Sequence, residues 1–377
     1  MNMDFNALLK NYILPVATLA GAIIGVGFFA LPYVAMKSGI WLTLSYFVAV
    51  GSLVIFIHLL FCEISLKTPD FKRFPGFVEH YLGKKVKFIP LFSAIFGGFG
   101  VLLIYLMIGG QFLTEALSPV FGGNNLTYTL IYFACASTAI YFGTKAVSKF
   151  ELLVLIALFM SFFIIFLKGL PYFDLANIFA GPAVTGWKNW FLPYGTVMFS
   201  LWGMGMIPEI EEMLGKDKKI IKRVVKISLF VSAIFYLCFI FLVLGITGKN
   251  TTESAVLGLK DFFNGGTIMA VLLIAVFTTF NGFMALGLTL KKVLIYDLKI
   301  KPLHAFIITC ATPLIILLLG VNSFIPMISF VGGVFLGIDG ILVLLMYKKI
   351  KSKSLLIYPL SLIFLAGIVY EIIYFIK

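Results

Sequence analysis

Gly21-Ala22-Ile23-Ile24-Gly25-Val26-Gly27-Phe28-Phe29-Ala30-Leu31-Pro32 interrupts the first long apolar segment of the chain with three glycines and a proline. In hydrocarbon every unpaired backbone N–H or C=O costs several kcal/mol, so a membrane helix unwinds only where the freed groups line a cavity or meet a ligand. Glycine weakens a helix by about 1 kcal/mol relative to alanine and lets a solute approach the backbone. The same residues also serve close helix packing, so this stretch has to be weighed with the rest of the chain.

The 377 residues are 61% hydrophobic, 16% aromatic and 12% charged, with a mean hydropathy of +1.09. That composition excludes a soluble domain and describes an integral membrane protein. Eleven apolar spans are read at 12–36, 41–65, 88–117, 126–142, 151–167, 191–208, 227–246, 267–290, 305–319, 324–347 and 355–376. The first is too long for a cleaved signal and lacks its charged start and small-residue cleavage pattern, so it is expected to be retained. The net charge of +13 does not require a nucleic-acid partner, because the basic residues fall on alternate connections. One side holds Lys67, Lys72, Arg73, Lys84, Lys85 and Lys87, then Lys218, Lys219, Lys222 and Arg223, then Lys348 and Lys349; the other keeps only Lys37, Lys168, Lys188, Lys249, Lys260 and Lys377. The positive-inside rule then predicts a cytoplasmic N-terminus and an outside C-terminus, and the plasma membrane is the expected location. Cys62, Cys135, Cys238 and Cys310 all lie in apolar spans without paired spacing, and imply neither a disulfide nor a metal site.

The sixth span carries a second interruption, Phe199-Ser200-Leu201-Trp202-Gly203-Met204-Gly205-Met206-Ile207-Pro208-Glu209-Ile210. Five spans separate the starts of the two interrupted ones, and an odd number makes the second set of five enter from the opposite face. The predicted architecture is all-α, with inverted repeats over about 12–167 and 191–347 inside a single domain of 1–377 and an extra, peripheral helix over about 355–376. Half-helix ends at such breaks suit a zwitterion: N–H groups and the positive dipole end attract an anion, and free carbonyls attract a cation. The amides of Gly25, Val26 and Gly27 are therefore expected to hold a carboxylate, and the carbonyls of Ile23, Phe199, Ser200 and Trp202 an ammonium group. Gly203 leaves space in the pocket, Tyr105, Trp202 and Met204 are candidates to line it, and Phe199 and Trp202 to gate it. No Asp or Arg stands at either break, which favours an apolar or aromatic substrate side chain over a charged one.

With these residues the chain resembles the amino acid/auxin permease family, which includes bacterial aromatic amino acid permease-like members and is a branch of the amino acid-polyamine-organocation superfamily. The resemblance rests on Gly-Ala-Ile-Ile-Gly-Val-Gly-Phe-Phe-Ala-Leu-Pro at 21–32, on Ile207-Pro208-Glu209-Ile210 before a basic loop, on Gly109-Gly110-Gln111 in the third span, and on the order of spans along nearly the whole chain. It implies the LeuT-type 5+5 fold with broken helices 1 and 6, secondary active amino acid uptake and substrate contacts at both breaks.

Ala275-Val276-Phe277-Thr278-Thr279 in the eighth span looks like the second sodium site of LeuT-type symporters, in which Ala275, Thr278 and Thr279 would face the carbonyls of Gly21 and Ile24. Hard oxygen ligands suit Na+, and the local alternative is that each threonine bonds back to its own helix. Proton coupling is the rival, with Glu63 and Asp339 as the ionisable candidates in apolar surroundings. Glu209, Glu211 and Glu212 are expected to latch an inner gate against Lys216, Lys218 and Lys219.

Other classes fit less well. Tyr296-Asp297 and Gly337-Ile338-Asp339 lack the pattern of intramembrane aspartyl proteases, and His58, His80 and His304 are too scattered for a metal centre, so neither an enzyme nor a cofactor is expected. A non-transporting amino acid sensor on the same fold remains the alternative, against which the short tails argue. The partners implied are a small-molecule amino acid and the lipid bilayer, with no obligatory protein partner.

Overall fold

The computed structural model describes residues 8–69, 72–142, 147–179, 181, 187–215, 217–351 and 357–376. Helix follows helix from end to end. A π-helical segment Leu9–Ile13 leads into α1 (Leu14–Ile23), followed by α2 (Leu31–Ser38), α3 (Ile40–Lys67), a short amphipathic α4 (Phe74–Leu82), α5 (Phe88–Phe121), α6 (Asn125–Phe142) and α7 (Val147–Gly169). After a short α8 (Leu175–Phe179) come α9 (Trp187–Leu201), α10 (Ile207–Leu214), α11 (Lys218–Thr247), α12 (Gly265–Tyr296) and α13 (Pro302–Leu318). The chain closes with α14 (Phe324–Phe330), a π-helical turn Val331–Phe335, α15 (Leu336–Ile350) and α16 (Ile357–Ile376).

Among the described residues, seven helices are each long and apolar enough to cross a membrane, and Leu9–Ile23 with Val26–Ser38 form an eighth span bent by 52°. The three other expected spans are shorter or broken helices: α6, the α9/α10 pair and α13. All eleven thus have a helical counterpart in the expected order. Local chemistry sets several starts. Asp217 caps α11 by accepting from the amides of Lys219 and Ile220, and Asn264 caps α12 through Thr267. Proline in the first turn of α2, α10 and α13 supplies the fixed φ that suits a helix start.

The broken helices occupy the centre. The first half of the sixth span, α9, packs against α2, α3 and the turn that follows α1, while α11 packs against α1 and α3. Opposite them, α12 runs along α5, α6 and α7. Gly109 and Gly110 let α6 approach α5 there, because side chains at those positions would run into Tyr132 and Thr129. The last helix is largely exposed and seats on the bundle by one stripe. Although Leu362, Ile363, Leu365 and Val369 are exposed, α16 packs on α9, α14, α15 and the π turn.

Candidate functional site

The first break follows from the end of α1. Ile24 still donates to Ala20 O at 2.8 Å, but its ψ of 73° turns the chain out of the helix, and Gly25 then takes an extended conformation with its N–H 2.7 Å from Ile23 O. A 3-10 segment, Val26–Ala30, leads into α2 with Pro32 in its first turn. The second break repeats this order. Past Leu201 the Trp202 amide reaches Phe199 O at 3.4 Å, Gly203 leaves helical geometry, a 3-10 turn covers Met204–Met206, and α10 starts with Pro208 in its first turn.

The two breaks interlock. A Cβ on Gly27 would lie 2.6 Å from Ser200 Oγ, 2.8 Å from Phe199 Cδ1 and 3.1 Å from Ser200 Cα, and a Cβ on Gly203 would run into the side chain of Ile23. Each break therefore puts a glycine where the other crosses it. Unwinding frees the carbonyls of Ile23 and Ser200, which a continuous helix would bond to Gly27 N and Met204 N. Tyr236 of α11 answers both: its hydroxyl lies 2.8 Å from Ile23 O and 2.8 Å from Ser200 O, so one proton is shared between the two breaks. On the α3 side, Gly203 N–H donates to His58 Nε2 at 3.0 Å, while His58 Nδ1 lies 2.8 Å from Val54 O. A carbonyl only accepts, so Nδ1 carries the proton and Nε2 is the free acceptor that Gly203 needs. The ring is fully buried, 5.3 Å from Trp202 in an edge-on arrangement. Beneath the first break, Phe28 packs on Phe239 and Tyr236, and Phe29 on Phe112.

Most residues singled out in the sequence lie at this crossing. Ile23, Val26, Gly27, Ser200 and Gly203 are buried in it, and Gly25, Phe199 and Trp202 are partly buried there. Tyr105 stands against Gly25 and also approaches the Val26 backbone. The carbonyls expected to receive an ammonium, Ile23 and Ser200, are engaged by Tyr236, and the Gly25 amide expected to receive a carboxylate is turned onto Ile23 O. At the proposed ion site α12 packs on the 3-10 turn of the first break. Thr278 donates to Ile274 O and Thr279 to Val276 O, each at 2.9 Å, and Ala275 is buried nearby on the same helix. Gly21 and Ile24 line an apolar cleft of about 380 Å³, where Leu155 stands against Gly21.

The expected glutamate latch takes another form. Lys216 lies outside the described residues, and Glu211 is buried and accepts from the Ser65 hydroxyl. It is Glu63 that collects lysines, with Lys222 at 3.3 Å, Lys67 at 3.6 Å and Lys351 at 3.9 Å. Sequence reasoning missed His58 and Tyr236 as parts of the site. A histidine amid the apolar run of the second span is a signal of its own, whereas nothing distinguishes Tyr236 from the other tyrosines.

Two helices broken at matching places and crossing at the middle of a bundle of long apolar helices define a LeuT-type, multi-pass integral membrane protein. MhsT, solved in complex with L-phenylalanine, shares this fold with a TM-score of 0.65 over 100% of both chains at 13% identity. Mhp1, a nucleobase-cation-symport-1 family transporter solved in a closed conformation with bromovinylhydantoin bound, scores 0.64 over 87% of this chain and 76% of that one, also at 13% identity. The tryptophan/tyrosine permease family model matches residues 10–362, and the chain belongs to that family. It is 25% identical over 223 residues to tyrosine-specific transport system 1 of Haemophilus influenzae, covering 58% of this chain and 53% of that protein. It is 29% identical over 167 residues to vacuolar amino acid transporter 2 of Saccharomyces cerevisiae, covering 41% and 35%. The chain thus spans about half the length of the first relative and about a third of the second.

Proposed function

We propose that the chain is a secondary active amino acid transporter of the amino acid/auxin permease branch, within the amino acid-polyamine-organocation superfamily, which carries a neutral, apolar or aromatic amino acid into the cytoplasm by ion-coupled symport. The observation that carries this reading is the crossing of the two breaks, with the Ile23 and Ser200 carbonyls facing one hydroxyl from opposite helices. An ammonium group replaces that hydroxyl: it brings several donors where Tyr236 has one, and swings the tyrosine aside. Membership of the tryptophan/tyrosine permease family supports an aromatic side chain. The alternation of basic loops supports a cytoplasmic N-terminus, and the plasma membrane is the residence proposed.

For the coupling ion we place Na+ among the carbonyls of Gly21 and Ile24, Ala275, and the hydroxyls of Thr278 and Thr279. A hydroxyl that donates backwards keeps its oxygen lone pairs for a cation, so the bonds to Ile274 and Val276 are compatible with this role. Proton coupling is the second reading. It is favoured by Asp339, whose Oδ1 is buried without a hydrogen-bond partner, more than by Glu63, which three lysines hold as an ion pair.

The test is uptake of labelled tyrosine, tryptophan, phenylalanine and small neutral amino acids into proteoliposomes under an imposed sodium gradient or pH gradient, for wild type and T278A/T279A. Sodium-driven accumulation lost in the double variant is the expected result. Accumulation under a pH gradient alone overturns the sodium site, and binding without accumulation turns the reading to a sensor.

A further inference from the structure

Glu371 lies in the last helix, outside the two five-span repeats, and is wholly buried. It belongs to the stripe Phe364, Gly367, Tyr370 and Glu371 by which α16 docks on the bundle. Glu371 Oε1 accepts from the Ser329 hydroxyl at 2.8 Å, and the backbone of Gly195 in α9 also faces the carboxyl. Oε2 is buried and has no hydrogen-bond partner. The seam is built tightly around this group. A Cβ on Gly195 would lie 2.5 Å from Oε1, and one on Gly333 in the π turn would run into the glutamate stem.

The titratable groups facing Glu371 are Tyr194 from α9, Tyr46 from α3, and Tyr370 and Tyr374 from its own helix. On α15, Asp339 interacts with Ser93 of α5, and Lys348 is engaged with Tyr358. No cation faces the carboxyl among the described residues. An ionised carboxylate there would be an uncompensated charge inside the membrane, whereas a carboxyl with its proton on Oε2 leaves none.

We propose that Glu371 is a proton-binding site that ties the seating of α16 to the broken sixth helix, so that the seam between α9, the π turn and α16 closes with the proton bound and opens to water with its release. π turns are rare and frequently sit at functional sites, and this one lies against both Gly195 and Glu371. Only the expectation that this seam opens and closes during a transport cycle rests on the transport reading.

The experiment is infrared difference spectroscopy, between acid and alkaline pH, on the full-length protein in lipid vesicles. The expected result is a protonated-carboxyl C=O band that titrates in wild type and D339N and is absent from E371Q. A band unchanged in E371Q overturns the proposal, as does its loss on adding sodium at fixed pH, which would make Glu371 a sodium ligand. Should E371Q fail to fold, S329A carries the test, because it keeps the carboxyl but removes its donor: a shifted titration midpoint supports the site and an unmoved one overturns it. The pH profile of labelled amino acid exchange then flattens in E371Q. Absence of any exchange in wild type would count against the transport reading alone, since the infrared band is read without substrate.

Discussion

The two helix breaks are alike in sequence and unlike in what holds them. In the first, the amides are satisfied within the chain, Ile24 by Ala20 and Gly25 by Ile23, while the Ile23 carbonyl shares the Tyr236 hydroxyl with the second break. In the second, the Gly203 amide has its partner on α3, in His58, and the Ser200 carbonyl has its partner on α11, in Tyr236. An amide closed by its own backbone stays paired wherever its helix goes, whereas an amide held by a neighbouring helix, as Gly203 is by His58, stays paired only while that neighbour keeps its place. The sixth-span break is therefore the one whose geometry reports the arrangement of the bundle.

The strongest challenge to this contrast is Gly27→Ala, which acts where the breaks cross. The added methyl meets the Ser200 backbone as well as its side chain, so α9 itself has to move. Overpacking of that kind costs about 1–3 kcal/mol or more, and uptake is expected to be nearly abolished with a lowered melting temperature. Normal uptake in G27A would show that the crossing is looser than the contacts imply. His58→Ala comes next. It strands the buried Gly203 N–H at a cost of about 1–3 kcal/mol and is expected to reduce both thermal stability and uptake, with partial recovery in His58→Gln, whose side-chain oxygen can accept.

Tyr236→Phe sharpens the comparison because it touches both breaks with one atom. Loss of the shared hydroxyl is expected to destabilise the protein by about 1 kcal/mol while leaving substrate affinity, measured by equilibrium binding, undiminished. A large loss of affinity would instead make Tyr236 a substrate ligand. The smallest effect is expected at Gly205→Ala, two residues past Gly203, where a Cβ meets nothing within 4 Å. A stability change within about 0.5 kcal/mol is expected, and G203A beside it is expected to fall in the class of G27A.

Sequence by itself determined the spans, their order and the two interruptions, because each depends on local properties: about 20 apolar residues to cross hydrocarbon, glycine to release the helix, and proline to restart it. The placement of the breaks at Ile24-Gly25 and Trp202-Gly203 follows from those residues alone. Only the tertiary structure decided what satisfies the freed groups, since His58 and Tyr236 lie far from their partners in the chain and any buried donor or acceptor of suitable geometry would have served. It also put Glu63 rather than the 209–212 glutamates among the lysines, and buried the carboxyl of Glu371 from a helix that lies outside the two repeats. Hydropathy records how apolar a helix is, but the face that a single charged residue occupies is fixed by the neighbours packed around it.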